Sequence, residues 1–180
     1  MKSIANKTYS NIPIINADLF DLIEERIKSG NNGSSVIVPH VCNNIDLFGA
    51  GFAHAIAEHY PIVKENYHLL GKTFLKNNAG YVQYVKTIED KNYGHSLVFA
   101  NMIAQNEIIS KNNPRPLNYY SLCKAMHDIS IFIKDKFKTD QKVEIHAPKF
   151  GCGLAGGNWN FVQELIRDTW KEHKIFIYQK

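Results

Sequence analysis

At 180 residues the chain fits one domain with a proper hydrophobic core and would leave two domains cramped. Its 44% hydrophobic and 21% charged content, with a formal net charge of +4, is ordinary for a globular protein. The positive charge is spread out, with no basic cluster or aromatic stripe to indicate nucleic acid, and no apolar run has the length of a membrane span.

Residues 1–8 are polar and are expected to be loosely held. Ile12-Pro13-Ile14-Ile15 reads as a short strand, its proline favouring a start or an edge. Leu19, Phe20, Leu22, Ile23 and Ile27 then recur at helical spacing, with Asp18 placed to cap the helix. A Gly/Asn/Ser loop over 29–34 leads to the apolar run Val36-Ile37-Val38, a strand buried on both faces. A first glycine loop runs from His40 to Gly51 and opens onto a helix over 52–59, which Pro61 breaks. A second helix is expected from Ile62 to Leu75, with Val63, Tyr67 and Leu70 on one face. Segments 80–86 and 96–102 read as strands joined by a polar turn at 89–95. After a proline- and asparagine-rich loop at 110–116, a long helix spans about 118–137. The strand at Val143, a second glycine loop over 148–157, a helix over 158–170 and a strand over 174–178 complete the chain. Alternating strands and helices predict an α/β fold: a three-layer αβα sandwich around a mixed, mostly parallel sheet. Its ligand site is expected at the carboxyl ends of the strands, where both glycine loops lie.

Cys42, Cys123 and Cys152 cannot all pair and show no CxxC spacing, so free thiols in a reducing compartment are expected. With no signal-peptide pattern at its start, the chain reads as cytoplasmic. The scattered histidines give no metal-ligand spacing; His54 and His59 are five apart and do not share a helix face.

Strand, glycine loop and helix together offer backbone N–H groups and a helix N-terminus to phosphate. Here the arrangement occurs twice, about a hundred residues apart, as if two loops converged on one diphosphate. Neither loop is a GxGxxG with a distal acid or a GxxxxGK[ST], which argues against a dinucleotide-dependent oxidoreductase or a P-loop NTPase.

Ala17-Asp18-Leu19-Phe20, the run from His40 to Ala53, and Pro148-Lys149-Phe150-Gly151-Cys152-Gly153-Leu154 together resemble the macrodomain family of ADP-ribose-binding proteins. The HxCN…GxGxA pattern, followed by Tyr60-Pro61 and Tyr67, is similar to the subgroup of yeast-type ADP-ribose-1″-phosphate phosphatases and terminal ADP-ribose–glutamate hydrolases. Ala100-Asn101-Met102-Ile103-Ala104-Gln105 looks like the central strand of bacterial members. The resemblance covers about 12–178, which implies that residues 1–180 form a single macrodomain.

What the resemblance implies can be placed residue by residue. Asp18 would accept a hydrogen bond from the adenine amino group, and Leu19 would supply a neighbouring N–H. Asp18 read as a simple helix cap is compatible with this, since a carboxylate has several acceptor sites. Gly49, Ala50, Gly51 and Phe52 would face the diphosphate and distal ribose, with Gly151, Cys152, Gly153, Leu154 and Ala155 closing from the other side. Asn43 matches the asparagine that contacts the distal ribose; without the resemblance it reads equally as an asparagine satisfying its own turn.

Catalysis would need a base or nucleophile near that ribose. His40 matches the histidine of the phosphatase-type relatives, against the plain reading of a buried, hydrogen-bonded ring. Lys86 aligns with the strand that carries the lysine nucleophile of the hydrolases, against the reading of a solvated surface lysine. Those hydrolases place an aspartate directly after GCGL, and this chain has Ala155, so the lysine mechanism lacks its partner. The expected ligand is ADP-ribose or a derivative, free or attached to protein or nucleic acid, with no cofactor. The alternative is a non-catalytic nucleotide, poly-ADP-ribose or nucleic-acid binding module.

Overall fold

A computed structural model of the chain describes residues 12–179, so the stretch 1–8 lies outside the described residues. In chain order the elements are β1 (Ile14–Asn16), α1 (Leu19–Lys28), β2 (Ser35–Asn43), α2 (Gly51–His59), α3 (Pro61–Asn77) and β3 (Val82–Asp90). There follow β4 (His95–Gln105), α4 (Tyr119–Lys136), β5 (Val143–Pro148), α5 (Trp159–Thr169) and β6 (Lys174–Gln179). The strands form one six-stranded sheet in the order β1-β6-β5-β2-β4-β3. Every neighbouring pair is parallel except β3 with β4, which gives the expected mixed, mostly parallel sheet.

Successive residues of a strand point to opposite faces, and here both faces are covered. Along β4, Val98, Ala100, Met102 and Ala104 enter a core with α4 and α5, while Leu97, Phe99 and Ile103 enter a second core with α1, α2 and α3. β2 divides in the same way, Ile37 to the first core and Val36 and Val38 to the second. This period of two makes the three layers. Helix starts follow local chemistry: Asp18, Asn118 and Asn158 each accept a backbone N–H at their helix N-terminus, and Pro61 opens α3.

Three boundaries differ from the sequence expectation. β2 continues through His40–Asn43, where the sequence reads the opening of a loop, because His40 and Cys42 are buried and the backbone stays paired with β4 as far as Asn43. α3 is not one regular helix over 62–75; it breaks at Gly71, which sits at φ 73. β3 begins at Val82 and runs to Asp90, its ladder with β4 passing a bulge between Lys86 and Ile88.

Candidate functional site

Both glycine loops leave the sheet at the carboxyl ends of adjacent strands, β2 and β5, and enclose a cavity of about 810 Å³. That volume suits a small-molecule ligand.

The first loop is built by Asn43. Its Oδ1 accepts the N–H groups of Ile45 (3.0 Å) and Leu47 (3.2 Å), and its Nδ2 donates to the Leu47 carbonyl (2.6 Å). The Tyr67 hydroxyl donates to the Asn43 carbonyl at 2.7 Å, tying the turn to α3. Asp46 then adopts φ 64, a region that Asp and Asn enter more readily than most residues, and lies 2.6 Å from His68 Nδ1. Among the described residues no side chain caps α2, so the N–H groups of its first turn are left at the end of the loop.

The second loop meets the first. A Cβ placed on Gly51, itself at φ 58, would stand 3.6 Å from Leu154 Cδ1. Gly151 at φ 73 begins the fold-back, closed by Gly156 N–H to the Gly153 carbonyl (2.9 Å) and Gly157 N–H to the Gly151 carbonyl (2.8 Å). Beside this turn the Lys149 ammonium lies over the Trp159 ring, 5.6 Å from its centroid.

His40 forms the floor. It is buried, its ring edge-on to Phe48, with Nε2 2.5 Å from Asn101 Oδ1. Asn101 spends its Nδ2 on Gln83 Oε1 (2.9 Å), so its oxygen must accept from His40, which fixes the Nε2–H tautomer. Burial pulls the imidazole down to about 4, outweighing the Asn101 hydrogen bond, so the ring is neutral near pH 7. Burial also pushes the Cys42 thiol well up and the Cys152 thiol up to about 11, which leaves neither as a ready thiolate.

Of the residues singled out by sequence, His40, Asn43, Gly49, Ala50, Gly51, Phe52, Gly151, Gly153, Leu154 and Ala155 line the cavity, and Cys152 does not. Asp18 and Leu19 stand outside the lining; Asp18 accepts the Phe20 N–H (3.0 Å), and the Phe20 ring stacks on Phe52 at 5.5 Å. Lys86 is not brought to the pocket. It sits half-exposed on the edge strand, paired with Glu89 at 2.9 Å and opposite Val98. The reason is geometric: β3 is antiparallel and presents its start, Val82 opposite Met102, to the pocket end, which leaves Lys86 roughly 13 Å further along. Ala155 is buried and gives its carbonyl to the Leu117 N–H (3.0 Å). His54 faces solvent beside Glu58.

Sequence reasoning missed Lys64 and His68, both in the lining. Their i, i+4 spacing on α3 was the available signal, but Asp46, the partner of His68, is distant in sequence. It also missed the Ile108-Ile109 wall, held because Asn44 Oδ1 accepts the Glu107 N–H at 2.8 Å. Among the described residues no group of three His, Cys, Asp or Glu is arranged to hold a metal ion, and no helix is long and apolar enough to cross a membrane.

No family model and no curated protein sequence matches the chain. Solved structures do. A protein of unknown function from Bacteroides thetaiotaomicron is 26% identical, with a TM-score of 0.73 over 93% of this chain and 98% of its own. A macrodomain protein from Streptomyces coelicolor is also 26% identical, with a TM-score of 0.62 over 82% of this chain and 89% of its own. Thermosipho africanus DarTG, solved in complex with ADP-ribose, is 15% identical, with a TM-score of 0.64 over 94% of this chain and 42% of its own.

Proposed function

We propose that this chain, which has the macrodomain fold, binds ADP-ribose or a derivative of it in the pocket between its two glycine loops. The observation that carries the reading is the approach of those loops, Leu154 against Gly51, over the uncapped start of α2. A diphosphate there would meet backbone N–H groups and the positive end of a helix dipole. The ADP-ribose held by the DarTG neighbour of the same fold supports the choice of ligand. In this reading Asp18 and Leu19 hold the adenine end and reach the pocket through Phe20 and Phe52. Asn43 acts on the distal ribose indirectly, by shaping the loop that faces it. The ligand can be free or attached to a protein or nucleic acid, because Leu47 and Leu154 at the rim are half-exposed and leave the mouth open.

Hydrolysis of an ADP-ribose derivative fits the same pocket, but neither His40 nor Lys86 is suited to drive it. His40 has its Nε2 committed and its ring neutral, and Lys86 is elsewhere. Calorimetric titration with ADP-ribose, NAD and ATP tests the binding claim. Selective binding of ADP-ribose is expected; no binding, or an equal response to ATP, would sink it.

A further inference from the structure

The loop between β4 and α4 has two sides, and they face different cavities. Gln105, Ile108 and Ile109 wall the cavity described above. Asn106, Asn113 and Arg115, joined by Asn118 and Tyr119, line a smaller one of about 280 Å³ that shares no lining residue with the first. That volume falls short of a typical small-molecule site and suits a single side chain of a larger ligand.

Among the described residues Arg115 is the one charged group of this lining, and no carboxylate pairs with it. Its guanidinium carbon lies 4.6 Å from the centroid of the Tyr119 ring, and Nη1 donates to the Leu117 carbonyl at 3.2 Å. Tyr119 is itself fixed: its hydroxyl accepts the Asn158 N–H at 2.8 Å, and its ring meets the edge of Phe161 at 4.5 Å. The guanidinium is thus in place before a ligand arrives, with Nε and Nη2 left to donate, which lowers the entropic cost of binding. Two amides complete the set. Asn118 spends Oδ1 on the Ser121 N–H (2.9 Å), which leaves Nδ2 as a donor. Asn113 spends Nδ2 on the carbonyls of Asn106 (2.9 Å) and Ile108 (3.2 Å), which leaves Oδ1 as an acceptor. The start of α4 is already capped by Asn118, so the preference for an anion comes from Arg115.

A fixed guanidinium, an amide donor and an amide acceptor match a carboxylate that has a peptide N–H beside it. A phosphodiester would bring only acceptors to Asn113 Oδ1 and is matched less well. The site also adjoins the first cavity. A Cβ on Gly156 would stand 2.7 Å from the Pro114 carbonyl oxygen and 3.1 Å from Arg115 Cα, so the Arg115 backbone packs on the second glycine loop. Leu154, at the cavity rim, is only two residues away from Gly156. From this arrangement we infer that the Arg115 site holds an acidic side chain of a polypeptide whose attached ADP-ribose occupies the first cavity. The inference rests on the ADP-ribose reading above, which supplies the group in that cavity; Arg115 selects what the group is attached to.

The test is a calorimetric comparison of synthetic peptides ADP-ribosylated on a central serine, with free ADP-ribose as the reference. One peptide has glutamates on both sides of the serine and the other has glutamines in their place. Wild-type protein is expected to bind the acidic peptide about fivefold tighter, an advantage that shrinks as salt is raised. In Arg115→Gln the two peptides should bind alike, at the wild-type affinity for the glutamine peptide. Free ADP-ribose affinity should stay within about twofold in that variant, which also reports that it is folded. Arg115→Lys should keep only part of the advantage, because an ammonium cannot lie flat on Tyr119 and donate as a fork. Absence of free ADP-ribose binding by the wild type would defeat the binding reading itself. Three results would overturn the inference and leave that reading standing: equal wild-type affinity for the two peptides, an acidic preference that survives Arg115→Gln, or an Arg115-dependent gain seen with an ADP-ribosylated oligonucleotide and not with the acidic peptide.

Discussion

His40 and His68 show how position decides what one side-chain type can do. Both line the same cavity, but His40 is sealed beneath Phe48 and Phe52 while His68 is partly open and oriented by a carboxylate. The sealed ring has a consequence for stability. Its folded value of about 4 lies below the ordinary histidine value of 6.5, so between those limits the unfolded chain binds a proton that the folded chain refuses. Stability therefore falls as pH drops through this window, by about 3 kcal/mol from His40 alone. The His146 imidazole, lowered chiefly by burial despite its bond to Glu144, adds to the same trend. Thermal melts from pH 7 to 4.5 should show a shallower decline in His40→Gln than in wild type, and equal slopes would contradict this account. Residue roles were only half legible in the sequence. The Asn43 turn was written in local spacing, whereas the His40–Asn101 and Asp46–His68 contacts join residues 61 and 22 positions apart.

At the level of elements, the loops separate what folding needs from what a ligand needs. A Cβ on Gly49 would meet nothing within 4 Å, whereas one on Gly157 would lie 2.4 Å from Leu117 Cδ2 and 2.5 Å from the Gly151 carbonyl oxygen. Gly49→Ala should thus leave the melting temperature within about 2 °C of wild type and lower only ADP-ribose affinity. Gly157→Ala should destabilise the protein by about 2 kcal/mol or more, since backbone must move. Comparable melting temperatures for the two would refute the distinction. Sequence located both loops because glycines before an apolar helical pattern are a local signal. It ended β2 too early because polar residues at 40 and 43 look like loop until their tertiary partners are known. The break in α3 hangs on a single glycine, and a lone glycine in a helical pattern is often tolerated.

Across the whole molecule, the fold was legible because its alternation of elements and its apolar runs are repeated many times along the chain. Strand order was not, since nothing local says that β5 lies between β2 and β6. That order fixes the span of the site. From β1 to β2 is three inter-strand steps, about 14 Å, which sets the end of the pocket near Asp18 apart from the end at α3. Legibility of the candidate site follows the same division: the positions of the two loops could be read from motifs, while the α3 wall of the cavity arises only from packing.

The two tryptophans lie in unlike surroundings. Trp170 is fully buried and donates its indole N–H to the Met126 carbonyl, away from the cavity. Trp159 has Lys149, a cavity-lining cation, over its ring. A phosphate drawing Lys149 toward itself would lift that charge from the indole and change its emission. Ligand occupancy should therefore be readable as a saturable change in intrinsic fluorescence, abolished in Trp159→Phe and kept in Trp170→Phe. The protein carries its own optical gauge, with one chromophore that responds and one that stays constant as its reference.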